Sequence, residues 1–169
     1  SWYRRQRQMC IRDRFMTFLK ESQTKTYEKL SKKYGDSIHQ KVLSRLNKEI
    51  ESKGLIHVLR KGFNDIYVGN IKTVFSQPNS SRNQKYRDEK YLKNKFLLVR
   101  QLAYSTNNNN SIDIGIFING IPILTIELKN QLTGQTIDDS DHQYKFDRNP
   151  KGEPLLKFQR CICHFSVDN

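Results

Sequence analysis

Apolar residues in the first third of the chain recur at helical spacing. Leu30 lies on the apolar face of a short pattern that runs from Tyr27 to Tyr34 and stops at Gly35. A longer pattern follows, which Asp36 or Ser37 can cap and Gly54 ends. Its apolar residues recur every three or four positions, at Ile38, Val42, Leu43, Leu46 and Ile50. The spacing predicts two successive helices.

Shorter apolar runs, bounded by polar and turn-forming residues, predict strands in the rest of the chain. These strands are predicted at Leu55 to Leu59, Ile71 to Phe75, Phe96 to Ser105, 111–119, 121–130 and Phe158 to Val167, with a turn-rich connection at 61–65. Further helices are predicted over 85–95 and from Thr136 to Phe146. This order of elements predicts an α/β fold, with a mixed central sheet flanked by helices.

The pair Asn119-Gly120 is a strong signal for a hairpin between the strands 111–119 and 121–130. A two-residue turn would place Asp113 and Glu127 on opposite faces of the sheet. A shift by one residue places both on one face and collects the apolar residues on the other. Because the burial of apolar residues decides strand register, we expect an odd-length connection or a bulge, with Pro122 ending the turn.

Three charged residues interrupt this apolar hairpin: Asp113 on its first strand, then Glu127 and Lys129 on its second. Two carboxylates can hold a hard cation such as Mg²⁺, which polarises a phosphoryl group and activates a bound water. Lys129 shares a strand face with Glu127, where an ammonium can orient the water and stabilise developing charge. The pattern is the minimum set for metal-dependent hydrolysis of a phosphodiester, although the same charges also occur on solvated strand faces.

The composition favours a polyanionic partner. The 169 residues carry a net charge of +13, which suits DNA, RNA or an anionic membrane surface. No apolar run approaches the roughly 20 residues that a membrane-spanning helix needs, so the membrane is the weakest of the three. No G-x-x-x-x-G-K-[ST] motif occurs, so we expect no ATP in a P-loop of this chain.

The cysteines form no disulfide framework, and reduced thiols suit a cytoplasmic protein. Cys161, Cys163 and His164 would be metal ligands in one interpretation. In the other, the cysteines are small apolar side chains on a core strand. We favour the second, because the sequence contains no further cluster of ligands to complete a metal site.

Several blocks of sequence resemble the N-terminal nuclease domain of the R subunit of type I restriction-modification enzymes, a family within the PD-(D/E)xK nuclease superfamily. The blocks are RQLAYS at 100–105, SIDIGIFINGIPILTIELKN at 111–130, LTGQ at 132–135 and QYKFDRNP at 143–150. The resemblance extends with gaps from about Tyr27 to the last residue. It implies a PD-(D/E)xK core and an Mg²⁺-dependent endonuclease acting on unmodified double-stranded DNA.

The resemblance also implies roles for individual residues. Asp113, Glu127 and the main-chain carbonyl of Leu128 would hold Mg²⁺, and Lys129 would position the attacking water. Many relatives carry a Gln-x-x-x-Tyr motif on the following helix, whereas here Tyr144 directly follows Gln143 and Asp147 stands four residues after it. Gln143 is therefore either a residue that contacts DNA or supports Lys129, or an amide on a helix surface.

The resemblance places the chain within a larger assembly. We expect a fragment whose ATP-driven helicase motor follows it in the full-length R subunit, and whose partners are methyltransferase and specificity subunits. Residues 1–14 are expected to be a non-native or disordered leader, with the nuclease domain at 15–169. The alternatives are another PD-(D/E)xK DNA nuclease or a catalytically silent DNA-binding module of the same fold.

Overall fold

The computed structural model describes residues 13–78, 83–105, 110–129, 142, 154–157 and 159–168. Residues up to Leu97 group with Ile118–Ile121 as one compact unit, and Leu98–Phe117 groups with the residues from Pro122 onward as a second. Of the segment 1–14, only Asp13 and Arg14 are described, and both belong to the first helix. No helix in the described part of the chain is long and apolar enough to cross a membrane.

Helices dominate the first unit. They are α1 (13–22), α2 (Thr24–Tyr34), α3 (Ile38–Lys53) and α4 (Leu55–Lys61), with a 3-10 turn at Gly35–Ser37. The two helices predicted from apolar spacing are confirmed, because α2 buries Leu30 and α3 buries Ile38, Val42, Leu46 and Ile50. Ser37 precedes α3, but its hydroxyl donates to the carbonyl of Tyr34 instead of capping the helix.

The strand predicted at Leu55 to Leu59 is wrong, since these residues form α4. Leu55 and Val58 are buried, whereas Ile56 and His57 are exposed. Burial three residues apart is the spacing of a helix face, and a strand would bury every second residue. The short run of apolar residues is compatible with either structure, and packing within the unit favours the helix.

A small hairpin follows α4, in the region predicted to be a connection. β1 (Phe63–Asp65) pairs antiparallel with β2 (Gly69–Ile71). Gly62 has a φ of 77° and lies against the Ile71 main chain, where an added Cβ would be 2.2 Å from the Ile71 oxygen. Only glycine fits this close approach.

The strand predicted at Ile71 to Phe75 is therefore wrong beyond Ile71. Thr73 donates its hydroxyl to the Val58 carbonyl, at 2.8 Å. The Asn94 side chain bonds both the N–H and the carbonyl of Phe75. The segment after β2 is thus fixed by hydrogen bonds to residues distant in sequence instead of by pairing in a sheet. The helix predicted over 85–95 is also shorter, consisting of α5 (Gln84–Glu89) and a 3-10 turn at Tyr91–Lys93.

A mixed four-stranded sheet carries the order β3-β4-β5-β6, which confirms the predicted α/β class. The strands are β3 (Phe96–Ala103), β4 (Ser111–Ile118), β5 (Ile121–Lys129) and β6 (Cys163–Asp168). β5 and β6 are parallel, and β4 and β5 form the predicted hairpin. β6 starts at Cys163, later than predicted. Of the helix predicted from Thr136 to Phe146, only His142 is described, and it is helical.

The β4–β5 turn contains only Asn119 and Gly120, so the expected odd-length connection is wrong and Pro122 lies inside β5. The other expectation, a bulge, stays a prediction, because a two-residue turn without a bulge places Asp113 and Glu127 on opposite faces of the sheet. Their φ angles of 50° and 80° fit a type I′ turn. Asn119 is 1% exposed. Its side chain accepts from the Lys95 N–H and donates to the Thr73 carbonyl and the Asn94 amide oxygen. This network fixes the length of the turn.

Candidate functional site

Asp113, in the inner strand β4, is held from both neighbouring strands. Its Oδ1 accepts from the Gln101 side-chain N–H of β3 at 2.9 Å. Its Oδ2 accepts from the backbone N–H of Leu128 in β5 at 2.8 Å. The carboxylate of Asp113 therefore lies beside the peptide that joins Glu127 to Leu128, which brings the first predicted site residue next to the predicted Glu-x-Lys segment.

Glu127 and Lys129 share the buried face of β5. They are 7% and 6% exposed, whereas Leu128 between them is 48% exposed. The Lys129 ammonium lies 3.9 Å from Oε1 of Glu127, so the two form an ion pair out of contact with bulk water. Attraction between charges strengthens as water is excluded, and so does their effect on a reacting phosphate group.

The main chain of Leu128 is directed toward β4, because its N–H bonds Asp113. In a strand, the N–H and carbonyl of one residue point toward the same neighbouring strand. The Leu128 carbonyl is thus directed toward β4, the strand of Asp113, and its role as a metal ligand stays a prediction. Gln143, the remaining predicted site residue, lies outside the described residues.

The donor set fits a hard divalent cation. Asp113 accepts one hydrogen bond on each carboxylate oxygen, and a carboxylate has about four lone-pair positions, so both oxygens keep acceptor capacity. The Glu127 carboxylate and the Leu128 carbonyl add further oxygen donors. Among the described residues no group of three or more His, Cys, Asp or Glu side chains could hold a metal ion, so a site here would depend on two carboxylates and a main-chain carbonyl.

The interpretation of the cysteines as small apolar side chains in the core is supported for Cys161. Its thiol is buried, as a small core side chain would be, and burial raises its pKa from 9.0 to about 12. Its sulfur contacts the Leu155 carbonyl oxygen at 3.7 Å. Cys161 precedes β6 instead of lying on it, which corrects the predicted strand position.

Sequence reasoning missed the polar residues that β6 adds beside the site. The parallel register pairs Thr125 with His164 and Glu127 with Ser166. Paired residues of neighbouring strands lie on one face of a sheet. Thr125 and His164 are hydrogen-bonded through Oγ1 and Nδ1, at 2.5 Å. The sequence shows polar residues alternating at 164, 166 and 168, but relating them to the site requires the register of β6 against β5.

Gln101 was also missed as a site residue. It has a φ of 49°, which few residues other than glycine adopt, and its side chain contacts both Asp113 and Ser111. Its sequence context gives no sign of this conformation, since β3 otherwise has the composition of an ordinary strand. The contact with Asp113 depends on how β3 aligns with β4.

Fold and site together define an α/β protein whose mixed sheet carries an Asp and a Glu-x-Lys segment on adjacent strands. The family model described as type I restriction enzyme R protein N terminus matches residues 7–167 of the 169-residue chain. The chain therefore belongs to this family, as the resemblance predicted. No curated protein and no solved structure gave a significant match. The family match begins inside the segment 1–14, for which the leader hypothesis stays a prediction.

Proposed function

We propose that this chain is the Mg²⁺-dependent endonuclease part of a type I restriction enzyme R subunit, which hydrolyses phosphodiester bonds in unmodified double-stranded DNA. The observation that carries the proposal is the hydrogen bond from the Leu128 N–H to Asp113. It joins Asp113 of β4 to Leu128, the middle residue of the Glu-x-Lys segment of β5, within a chain that belongs to the type I R protein family.

Asp113, Glu127 and the Leu128 carbonyl are the residues that would hold the cation. When bound, Mg²⁺ would supply Lewis-acid polarisation of the phosphoryl group and a more acidic water. Lys129 would orient the attacking water and stabilise the negative charge that develops on the phosphate oxygens. Its burial beside Glu127 supports this role, since a cation shielded from water acts more strongly on a nearby anion.

The chain's charge supports DNA as the substrate. A net charge of +13 would attract the phosphate backbone, which contributes affinity without reading the base sequence. Recognition of the site would then fall to a specificity subunit, and protection of host DNA to a methyltransferase subunit. ATP would be hydrolysed by a motor elsewhere in the full-length R subunit, in the cytoplasm where these partners meet foreign DNA.

The test compares two variants in the reconstituted restriction complex. Glu127→Gln removes an anionic ligand, and Lys129→Met removes the ammonium, while both keep the side-chain volume nearly constant. Each should lower the rate of cleavage of unmodified plasmid by about 10²–10³-fold or more, which is the usual effect of losing a preorganised electrostatic group. ATP hydrolysis should stay close to the wild-type rate.

Lys53→Ala provides the matched control. Lys53 is an exposed lysine at the end of α3, paired with Glu49, and its loss should leave cleavage unchanged. Wild-type cleavage by either site variant would place the active site elsewhere. DNA binding by the wild-type complex without metal-dependent cleavage would support the catalytically silent module instead.

A further inference from the structure

Gln101 interrupts the regular conformation of β3. Its φ of 49° lies in the left-handed region, inside the strand Phe96–Ala103. Arg100 and Gln101 are both exposed, so the alternation of exposed and covered side chains breaks at this point. A local break of this kind is typical of a β-bulge, a feature that often re-aims a side chain beside an active site.

The side chain of Gln101 is fixed at both ends of its amide. The nitrogen donates to Oδ1 of Asp113 at 2.9 Å, and the oxygen accepts from the Ser111 hydroxyl at 3.2 Å. The other oxygen of Asp113 is held by the Leu128 N–H. Gln101 therefore supplies the one side-chain hydrogen bond that the described residues show orienting this carboxylate.

The sheet accommodates the irregular strand at a neighbouring position. A Cβ added to Gly115, two residues after Asp113, would lie 2.7 Å from Cδ2 of Leu102. The absence of a side chain at Gly115 thus gives room to Leu102, the residue directly after Gln101. Gly115 of β4 therefore packs closely against the residue of β3 that follows Gln101.

We infer that Gln101 is a positioning residue that holds Asp113 in the orientation required to bind the metal ion. The inference rests on the proposed function, in which Asp113 is a metal ligand. A neutral amide suits this task, because it donates to the carboxylate without neutralising the charge that attracts the cation. The cost is a strained backbone, and strain of this kind is concentrated at functional sites.

Two variants separate the strain from the hydrogen bond. Gln101→Gly removes the side chain but adopts a positive φ without strain. Gln101→Met keeps the length of the side chain and the strained backbone but removes the hydrogen-bond donor without adding charge. Loss of a group that orients a metal ligand typically lowers metal affinity by about 10- to 100-fold. Both variants should therefore bind Mn²⁺ more weakly, as measured by calorimetry on the full chain.

Stability provides the readout that distinguishes positioning from a structural role. Gln101→Gly should unfold at a higher urea concentration than the wild type, although its metal affinity is lower. A residue with a purely structural role would not move these two quantities in opposite directions. Gln77→Met, a change of the same type at an exposed residue outside the sheet, is the control and should retain wild-type affinity.

Asp113→Asn separates failure of this inference from failure of the proposed function. If Asp113→Asn abolishes Mn²⁺ binding while both Gln101 variants bind like the wild type, the positioning role is overturned and the metal site stands. If Asp113→Asn binds Mn²⁺ with wild-type affinity, Asp113 is not a ligand and the proposed site falls. Weaker binding by both Gln101 variants, with loss of binding in Asp113→Asn, supports both.

Discussion

Leu128 donates its backbone N–H to Oδ2 of Asp113 at 2.8 Å, so a side chain of β4 takes a bond that a backbone carbonyl would accept in a regular antiparallel ladder. The two strands share a tight turn at Asn119-Gly120, and the side-chain bond lies near their other ends. The hairpin is therefore closed by a tight turn at one end. At its other end, the Asp113 side chain takes the place of a backbone carbonyl as hydrogen-bond acceptor. That end carries the candidate site.

The first prediction concerns geometry with metal bound. Asp113 and Glu127 should each direct a carboxylate oxygen to one cation, with the two carboxylates roughly 4–6 Å apart as Mg²⁺–oxygen distances require. A crystal structure with Mn²⁺, located by its anomalous scattering, measures this distance directly. Carboxylates on opposite faces of the sheet would refute a shared metal site.

A second prediction concerns the buried ion pair. Lys129→Met removes the ammonium but leaves the Glu127 carboxylate buried, which should lower the free energy of unfolding by about 3 kcal/mol. The double variant Glu127→Gln/Lys129→Met should recover most of this loss, because it removes both charges. Urea titrations of the metal-free chain, followed by circular dichroism, measure both effects. Additive losses in the double variant would show that the two side chains are not coupled.

The third prediction addresses the turn. Asn119→Gly keeps the positive φ but loses the hydrogen bonds to Lys95, Thr73 and Asn94, and should cost about 2–3 kcal/mol of stability. Asn119→Ala loses the same bonds and adds strain of about 1–2 kcal/mol at a φ of 50°. The order wild type, glycine, alanine in urea midpoints is the expected result. Equal midpoints for the two variants would mean that the turn conformation contributes little.

The fourth prediction concerns pH. Burial raises the pKa of Cys161 above its unfolded value, so its contribution to stability is complete below pH 9.0 and is lost as the pH rises toward about 12. The loss has an upper bound of about 4 kcal/mol, at 1.36 kcal/mol per pH unit. Cys161→Ala should therefore lose less stability than the wild type between pH 9 and pH 11, as measured by urea unfolding. Parallel curves for both proteins would contradict this burial.

Sequence reasoning selected Asp113, Glu127 and Lys129, which the structure brings close together along β4 and β5, and it predicted their surroundings only in part. Asp113, Glu127 and Lys129 were found because charges inside an apolar hairpin need a physical reason. The structure places Asp113 against the Glu127–Leu128 peptide, but a hydrogen bond from a backbone amide leaves no trace in the sequence. Gln101 escaped prediction for a related reason, since its strained φ is maintained by contacts from β4 rather than by local preference.

Local preference by itself determined the helices α2 and α3, the extents of β3, β4 and β5, and the residues Asn119-Gly120 as a turn. In each of these segments the apolar period extends over enough residues, or the turn chemistry is specific enough, to favour one structure. Tertiary structure alone decided that Leu55 begins a helix, and it added the contacts that keep the β4–β5 turn at the two residues that Asn119-Gly120 favours locally. A short apolar run fits either a helix or a strand, so packing decides between them. The length of the turn follows from Asn119, whose buried amide bonds groups distant in sequence.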